Sequence, residues 1–589
     1  MVEKTVEENN RRSQKWFQDL GSSKATWVIE LLFALLVSVL IGFIFARYGK
    51  GGPNSSDITL YMNVGMNGIK MPFILNRYFH VFLQGIFLKL ASHPLQGYHA
   101  FWGFIMGLST FLVYISARKV LRRSNLLHGA LAVLIFFSFT AVADTSGIIV
   151  VDFTAMLMMT AFFALYLYSV NQEHQRKWAL VLLGCLLFLA FKTKETTLPI
   201  GVLLIGVGWV GKAKFDFKAF LRNLLWIVAG ALAGVIVFGI LSWIFLRDPF
   251  FGLRISEWRE FFGTYAVYSS RVLETMNALG DGNPDDWYQG YWFEGTLLPF
   301  LFFLFSGVML NQKTSLPRRL LWLVPLMYTV FLIISINNRL GYETRFGLPV
   351  MPVIAILAPQ FIKLQWPEQK SERRKLLIIS ALGIAVAVGI RVWLRLVIPA
   401  QNLDLGSVVT LMYYPLLVTV LFGLLILFKE NLFANVIIYL IVISLMVAPV
   451  ASNFRSMFVF RENYHDFQEV VLPFSEFQEE IQFDPGMNMY ATYQVFDRAE
   501  LKIVKNVDEL LALFNVFFDA GATRANFDYV DEPQDISGDI LSETFDYVLL
   551  SMGDWISMQE PEAQLARVKS NYEVLFEPGG DFVLLTSGQ

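Results

Sequence analysis

The sequence predicts a polytopic α-helical membrane protein with about thirteen transmembrane helices and a small extracytoplasmic α/β domain at its C-terminal end. Of its 589 residues, 55% are hydrophobic and only 16% are charged, and the mean hydropathy is +0.51. Soluble globular proteins have roughly 45–50% apolar and about 25% charged residues. Two further observations support this prediction: the sequence contains apolar runs long enough to span a membrane, and basic residues occur in alternate turns between them. The net charge of −2 gives no reason to expect a nucleic-acid partner.

The apolar runs define the transmembrane part, residues 26–450. A helix needs about 20 apolar residues to cross the hydrocarbon core. Residues 1–25 are polar and form a cytoplasmic segment, and the first run is too long for a cleavable signal peptide. We expect spans near 26–46, 97–117, 127–143, 150–170, 177–192, 196–211, 223–246, 295–311, 320–337, 346–362, 376–397, 407–428 and 432–450.

Orientation follows from lysine and arginine, which concentrate in cytoplasmic turns. The turns after the second, fourth, sixth, eighth and tenth spans are basic, beginning with Arg118, Arg176, Lys212, Lys313 and Lys363. The opposite turns are poor in basic residues, and the outer loop 247–294 has four arginines against eight acids. The N-terminus is therefore expected inside, and an odd number of spans places the C-terminal region outside.

The C-terminal region, residues 451–589, differs in kind from the rest. It holds 25 of the 49 acidic residues and no run of spanning length. Short apolar stretches at 487–493, 546–550 and 582–585 alternate with amphipathic patterns at 507–518 and 560–570. This alternation predicts a small α/β domain.

The outer loop 47–96 carries the first group of candidate site residues. Asp57 follows the first span by about ten residues, and Tyr61 lies one helical turn later. Arg77 and Tyr78 begin an apolar-faced segment, 78–92, that we expect to form a helix in the membrane interface. Helix capping by Ser55, Ser56 and Asp57 is the competing interpretation.

Three further groups interrupt apolar sequence, where ionisable residues are costly and often functional. Asp152 begins the fourth span, although it could simply cap that helix. Lys192, Lys194 and Glu195 lie in FKTKETTLP, where two cations would suit an anionic ligand. A tight turn between helices is the alternative there. The segment NNRLGYETRFGLPVMP carries Tyr342, Glu343 and Arg345. Its arginine suggests recognition of phosphate or carboxylate, and a structural Glu343–Arg345 pair is the alternative.

No metal or cofactor is expected. The six histidines show neither HxxxH nor HExxH spacing, and Cys185 is the single cysteine. The acidic stretch 281–286 of the outer loop 247–294 is a weaker candidate for a divalent cation. The aromatic residues of this loop are best interpreted as membrane anchors, although aromatic faces also bind sugar rings.

The order of these motifs resembles the GT-C superfamily of polyprenyl-phosphate-sugar glycosyltransferases, in particular its protein mannosyltransferase and aminoarabinose transferase branch. The likeness runs from the outer-loop aspartate through NRYFHVFLQGIFLKL, Asp152 and GCLLFLAFKTKE to RFGLPVMP, about residues 26–365. The family often has paired acids in the first loop and Lys-Pro-Pro before the interfacial helix. Here Ser55-Ser56-Asp57 and Leu75-Asn76-Arg77 stand at those places.

The resemblance implies roles for particular residues. Asp57 would be the general base that deprotonates the acceptor, and Asp152 would match the second family acid. Arg345 would lie near the donor phosphate, with Lys192 and Lys194 as further candidates for it. Tyr61, Arg77, Tyr78, Glu195, Tyr342 and Glu343 would contact the acceptor or the sugar. In-line displacement would invert the anomeric centre, and no metal is required if lysine and arginine neutralise the phosphate.

The implied partners are a polyprenyl-phosphate-linked sugar donor, membrane lipids and an acceptor that is a glycan, a lipid or a protein. The implied location is a plasma membrane. Three alternatives remain open from the sequence, and one is a non-catalytic GT-C-like protein, because the second acid of the first loop is absent. A transporter or flippase would be expected to show an inverted repeat and polar residues near the midplane. An O-antigen polymerase or ligase would use a large late outer loop such as 247–294.

Overall fold

The structure is a computed structural model. It describes residues 24–48, 61–91 with gaps at 63 and 67, 94–120, 126–142 with a gap at 140, 151–170, 177–208, 215–263, 316–337 and 344–362. It also describes residues 303 and 306, single residues and short stretches between 442 and 455, and short stretches between 489 and 587.

The described part of residues 24–362 is almost entirely helical. Its helices are α1 (Lys24–Tyr48), α2 (Tyr78–Leu90), α3 (Pro94–Lys119), α4 (Leu126–Ser138), α5 (Val151–Val170), α6 (Lys177–Phe191), α7 (Phe217–Leu246), α8 (Leu316–Asn337) and α9 (Met351–Leu357). Short 3₁₀ turns cover Pro72–Ile74, Thr344–Val350 and Ala358–Ile362, and residues 255–263 form a further short helix.

Four of the described helices, α1, α3, α5 and α7, are long and apolar enough to cross a membrane. They overlap the predicted spans 26–46, 97–117, 150–170 and 223–246, so these four segments are helical as predicted. The predicted spans 376–397 and 407–428 lie outside the described residues. The long apolar face that α7 exposes, including Leu225, Leu232 and Ile236, is that of a helix solvated by lipid.

The predicted span 196–211 differs from expectation in its geometry. Residues Glu195–Gly208 form a 14-residue 3₁₀ segment instead of an α-helix. Pro199 lies inside this segment and has no backbone N–H to donate. A 3₁₀ helix rises about 2.0 Å per residue, so fourteen residues extend about 28 Å, close to the thickness of the hydrocarbon core of about 30 Å.

Helix α2 covers most of the predicted interfacial segment 78–92 and is largely buried against other helices. Its buried residues are Tyr78, Phe79, His80, Val81, Phe82, Gln84, Gly85 and Leu88. It packs against α3 and α7, and the rings of Phe82 and Phe245 stack at 5.3 Å. Its last two residues, Lys89 and Leu90, are exposed, Leu90 at 81%. The helix therefore forms one wall of the bundle.

A distant part of the chain closes the bundle on the side of α1 and α4. The rings of Phe45, Phe137 and Phe454 lie 5.7–6.1 Å apart in all three pairs. The amide of Asn453 also donates a hydrogen bond to the Phe137 carbonyl at 2.9 Å. Residues at the start of the C-terminal region thus pack against the first and fourth helices.

The described residues beyond 488 form a five-stranded mixed sheet. Its strands are β1 (Met489–Thr492), β2 (Phe527–Val530), β3 (Tyr547–Ser551), β4 (Tyr572–Phe576) and β5 (Phe582–Ser587), in the order β2-β1-β3-β5-β4. β1 pairs in parallel with β2 and β3, whereas β5 pairs antiparallel with β3 and β4. Helix α10 (Glu562–Asn571) leads directly into β4.

Candidate active site

A buried ion pair joins two helices of the bundle. Asp152 lies in the first turn of α5, where the helix dipole favours a negative charge. Lys194 follows the end of α6, and its Nζ lies 2.5 Å from Oδ1 of Asp152. The two residues are only 1% and 4% exposed. Two formal charges are therefore held away from water among largely apolar helices.

The segment before α2 adds polar groups to this ion pair. The Asn76 side-chain amide donates a hydrogen bond to the Glu195 carboxylate. The Arg77 guanidinium donates to the Tyr61 hydroxyl at 2.8 Å and interacts electrostatically with Lys194. We call Asn76, Arg77, Asp152, Lys194 and Glu195 the charge cluster. It contains two cations and two carboxylates.

Backbone contacts hold the charge cluster together. The Phe79 N–H, in the first turn of α2, donates to the Lys192 carbonyl at 3.2 Å. The Lys194 N–H donates to the Ala190 carbonyl at 3.0 Å and ends α6 there. Because α2, α5 and the turn after α6 meet at these bonds, residues more than a hundred positions apart in sequence share one site.

His80 and Thr154 form a neutral contact beside the charge cluster. The His80 Nδ1 lies 2.8 Å from the Thr154 hydroxyl, and the His80 ring meets the Tyr61 ring edge-on at 5.3 Å. Burial, together with the charge of Arg77, lowers the pKa of His80 to about 3. The imidazole is therefore neutral at pH 7 and adds no charge to the site.

Lys192 has a different environment from Lys194. Its ammonium donates a hydrogen bond to the Gly252 carbonyl at 2.5 Å. It also lies 4.8 Å from the centre of the Phe238 ring and 4.6 Å from that of Trp258. The residue is only 1% exposed. Aromatic faces and one carbonyl therefore surround this cation.

Residues 247–263, which we call the loop segment, carry a second set of ion pairs. Asp248 accepts hydrogen bonds from Lys70 at 3.2 Å and from Arg254 at 2.7 Å. Glu257 accepts from the Gly252 N–H at 2.7 Å and pairs with Arg254 at 3.1 Å. Partial burial acts to raise the pKa of Asp248, but the bonds from Arg254 and Lys70 outweigh it and lower that pKa below its usual value.

The structure brings together five of the residues singled out from the sequence. It gives two others, Lys192 and Tyr78, different surroundings. Asp152, Lys194, Glu195, Arg77 and Tyr61 lie in one region. Tyr78 has a structural environment instead. Its hydroxyl donates to the Ile69 carbonyl at 2.9 Å, and it accepts from the Met71 N–H at 2.6 Å. Tyr78 thus fastens the segment that leads into α2.

Other predicted residues lie where the structure gives no side-chain information. Asp57, Tyr342 and Glu343 lie outside the described residues. Arg345 belongs to the 3₁₀ segment Thr344–Val350, which packs against α5, and its side chain is outside the described part. Among the described residues, no group of three or more His, Cys, Asp or Glu could hold a metal ion.

Three residues of this region were not predicted as site residues from the sequence. Asn76 and Gly252 gave no signal, because an amide or a glycine beside an apolar run is common. Trp258 was interpreted as a membrane anchor, and its contact with Lys192 depends on tertiary packing. A lysine inside apolar sequence and a tryptophan in a facing loop could together have suggested a cation–π contact, although many other pairs fit that description.

The arrangement can bind an anion and orient a polar reactant at the boundary of an apolar bundle. Arg77 and Lys194 supply cationic donors suited to phosphate or carboxylate. Asp152 lies close enough to Lys194 to favour its ionised form and so opposes the effect of burial on this ammonium. The site thus combines phosphate-binding cations with carboxylates suited to acid–base chemistry.

Comparison with known proteins finds no matching protein-family model and no matching curated protein. Among solved structures, the chain is similar to ArnT from Cupriavidus metallidurans bound to undecaprenyl phosphate. The identity is 15%, the match covers 96% of this chain and 98% of that chain, and the TM-score is 0.48. It is also similar to the oligosaccharyltransferase AglB from Archaeoglobus fulgidus in complex with an inhibitory peptide and a dolichol-phosphate. That match has 12% identity, covers 95% and 74% of the two chains, and has a TM-score of 0.41.

Proposed function

We propose that this chain is a membrane glycosyltransferase. It transfers a sugar from a polyprenyl-phosphate-linked donor to an acceptor on the outer face of a plasma membrane. The charge cluster, with Asp57 and Arg345, forms its active site. The acceptor is a glycan, a lipid or a protein, and the enzyme carries its N-terminus inside and residues 451–589 outside.

The observation that carries this proposal is the buried Asp152–Lys194 pair with Arg77 and Glu195 beside it. Taking two charges out of water costs several kcal/mol per ion, and the attraction between them rarely repays more than that cost. A cluster of these four charges is therefore poorly explained by stability alone. At the edge of a lipid-solvated bundle, it suits a ligand with an anionic head and an apolar tail.

The proposed roles combine the observed placement of Asp152 and Lys194 with the roles that the sequence resemblance implies for Asp57 and Arg345. Lys194 and Arg345 neutralise the phosphate as it leaves, because cations preorganised in an apolar site stabilise developing charge strongly. Asp152 holds Lys194 in place and favours its charged form. Asp57 removes the proton from the acceptor as it attacks the anomeric carbon from the opposite side, which inverts that centre.

The direct test measures sugar transfer from polyprenyl-phosphate donors by the purified protein and its Asp57→Asn and Asp152→Asn variants. Loss of a positioned general base costs about 100-fold to 10,000-fold in rate, so we expect at least a hundredfold loss for Asp57→Asn. Asp216→Asn is the matched control. Asp216 caps α7 at Ala219, and the 30-residue helix places it about 45 Å from the Arg247 end.

Two results would contradict the proposal. A folded Asp57→Asn variant with full transfer activity would remove the role of Asp57. Movement of the lipid-linked sugar across the membrane by the wild-type protein, without transfer to any acceptor, would identify a flippase instead. A fall in activity of Asp216→Asn equal to that of Asp152→Asn would show that the losses reflect folding alone.

A further inference from the structure

We propose that Lys192 is a positioning residue that fastens the loop segment over the charge cluster and does not contact the donor phosphate. The two lysines of the FKTKE turn would then have separate tasks, Lys194 for charge and Lys192 for loop position. The effect of loop position on transfer rests on the proposed function, whereas the attachment of the loop does not.

The surroundings of the Lys192 ammonium support this assignment. Trp258 is held between two groups of this turn, because its ring stacks on Phe191 at 5.7 Å and lies beside the Lys192 ammonium. Phe238 of α7 closes another side. Lys192 is only 1% exposed, and its ammonium lies against two aromatic rings. The favourable contacts of this ammonium are therefore made within the protein.

The loop segment is shaped around this cation. Gly252 adopts a φ of +79°, a conformation that L side chains rarely adopt, and it turns its carbonyl toward Lys192. The Trp258 indole N–H donates to the same carbonyl at 3.1 Å, while Glu257 accepts from the Gly252 N–H. A Cβ at Gly252 would lie 3.2 Å from the Lys192 Nζ. Both backbone polar groups of Gly252 are thus hydrogen-bonded, the carbonyl to Lys192 and Trp258 and the N–H to Glu257.

The same lysine is tied to the start of α2 through its backbone. Its carbonyl accepts the Phe79 N–H, and Glu195, three residues later, accepts from Asn76. The Lys70–Asp248 pair links the segment before α2 to the loop segment a second time. A displacement of the loop segment would therefore be transmitted to the residues that hold Arg77 and Lys194.

The test compares hydrogen exchange of residues 247–263 in the wild-type protein and in Lys192→Met, in detergent and without substrate. Loss of a desolvated cation–π contact and of a charge-assisted hydrogen bond should raise exchange in the loop segment about tenfold or more. Exchange in α5 should change little. Lys177→Met is the matched control. Lys177 is the first residue of α6, the helix that Lys192 follows, and its ammonium lies 5.1 Å from the centre of the Trp226 ring. Unlike Lys192, Lys177 is exposed.

A second variant approaches the contact from the loop side. Trp258→Leu removes the ring that faces Lys192 and should raise exchange of the same residues. Because the two side chains touch, the effects of Trp258→Leu and Lys192→Met should not add in the double variant. Additive effects, or unchanged exchange in both single variants, would overturn the proposal. Trp258→Leu alone decides the matter if Lys192→Met does not fold.

Kinetics separate loop positioning from phosphate contact. A loosened loop should raise KM for a polyprenyl-phosphate-sugar donor several-fold while kcat stays within about twofold. If Lys192 instead stabilised the leaving phosphate, its replacement by methionine would lower kcat about a hundredfold or more. The second outcome, with unchanged loop exchange, would return Lys192 to the phosphate site. Absence of transfer in the wild-type protein would contradict the proposed function and leave the exchange result to decide loop attachment.

Discussion

At the scale of single residues, Lys192 and Lys194 show how little spacing reveals about role. They are two positions apart, and both follow the same apolar helix. One ammonium reaches a carboxylate on α5, and the other reaches a carbonyl and two aromatic rings. The turn directs alternate side chains to different neighbours, so identical residues acquire different chemistry.

The Asp152–Lys194 pair should respond to substitution as a unit. Lys194→Met should lower the free energy of unfolding by about 3–5 kcal/mol, because it leaves a buried carboxylate without its partner. The double variant Asp152→Asn/Lys194→Met should recover much of that loss, since no charge then remains to be desolvated. Equilibrium unfolding in detergent measures both.

Lys70→Met provides the comparison for this pair. Lys70 pairs with Asp248, but its side chain is 45% exposed, so removing it should cost at most about 1 kcal/mol. Equal losses for Lys70→Met and Lys194→Met, or no recovery in the double variant, would contradict the assignment of Asp152–Lys194 as a desolvated pair.

The charged residues of the charge cluster could be singled out from the sequence, whereas the contacts that each of them makes could not. An aspartate, two lysines and a glutamate inside apolar runs are conspicuous, because each must have a reason to be there. Which of them meet depends on how α2, α5 and α6 pack, and that information is spread over contacts between distant segments. The hydrogen bond between Asn76 and Glu195 and the aromatic environment of Lys192 therefore could not be predicted from local pattern.

At the scale of elements, α6 and α7 pack so closely at Gly184 and Gly230 that no side chain beyond a hydrogen atom fits at these two positions. A Cβ added at Gly184 would lie 1.8 Å from the Ile227 carbonyl oxygen, and one at Gly230 would lie 1.9 Å from that of Val181. Small residues at such crossings allow backbones in membrane proteins to approach one another. The crossing fixes α7, and with it Phe238, against the turn that follows α6.

Gly184→Ala should therefore destabilise the protein by about 1–3 kcal/mol, because the added methyl group forces the two helices apart. The loss should appear as a lower midpoint in thermal unfolding in detergent. Gly201→Ala is the control, since its Cβ would meet only the Leu187 Cδ1 at 4.0 Å. A Gly184→Ala protein as stable as Gly201→Ala would show that the crossing is looser than described.

Hydropathy predicted the long helices well and the short segments less well. A run of twenty apolar residues has little choice of structure in lipid, because every backbone group must be satisfied within the segment. Glu195–Gly208 is only fourteen residues long and contains Pro199. Its hydropathy could not distinguish a 3₁₀ from an α-helical geometry, since both satisfy the backbone internally. The extent to which α2 is buried against its neighbours was also not visible in the sequence, because it depends on contacts with distant helices.

At the scale of the whole molecule, the pattern of basic turns predicts one orientation. A reporter that folds only outside the cytoplasm should be active when fused after Gln589 and inactive when inserted after Lys214, in the basic turn after the sixth predicted span. Enzyme activity of the two fusions in intact cells measures this. The reverse pattern would place the C-terminal sheet, and the charge cluster, on the wrong side of the membrane.

The strands of that sheet show both the value and the limit of local pattern. β1, β3 and β5 lie on the apolar stretches at 487–493, 546–550 and 582–585. β2 and β4 contain charged residues, Asp528 and Glu573, and gave no comparable signal. Each lies at an edge of the sheet, where one side of the strand is unpaired within it and polar residues are common.

The ring cluster of Phe45, Phe137 and Phe454 has a consequence for synthesis of the chain. About 400 residues separate the first ring from the last, and chains elongate at about 5–20 residues per second. The first helix therefore waits about 20–80 s for its final neighbour, long after α3 and α4 have left the ribosome. During that interval lipid or the insertion machinery must cover the surface that Phe454 later occupies, so assembly of this bundle ends only after its last segment has been inserted.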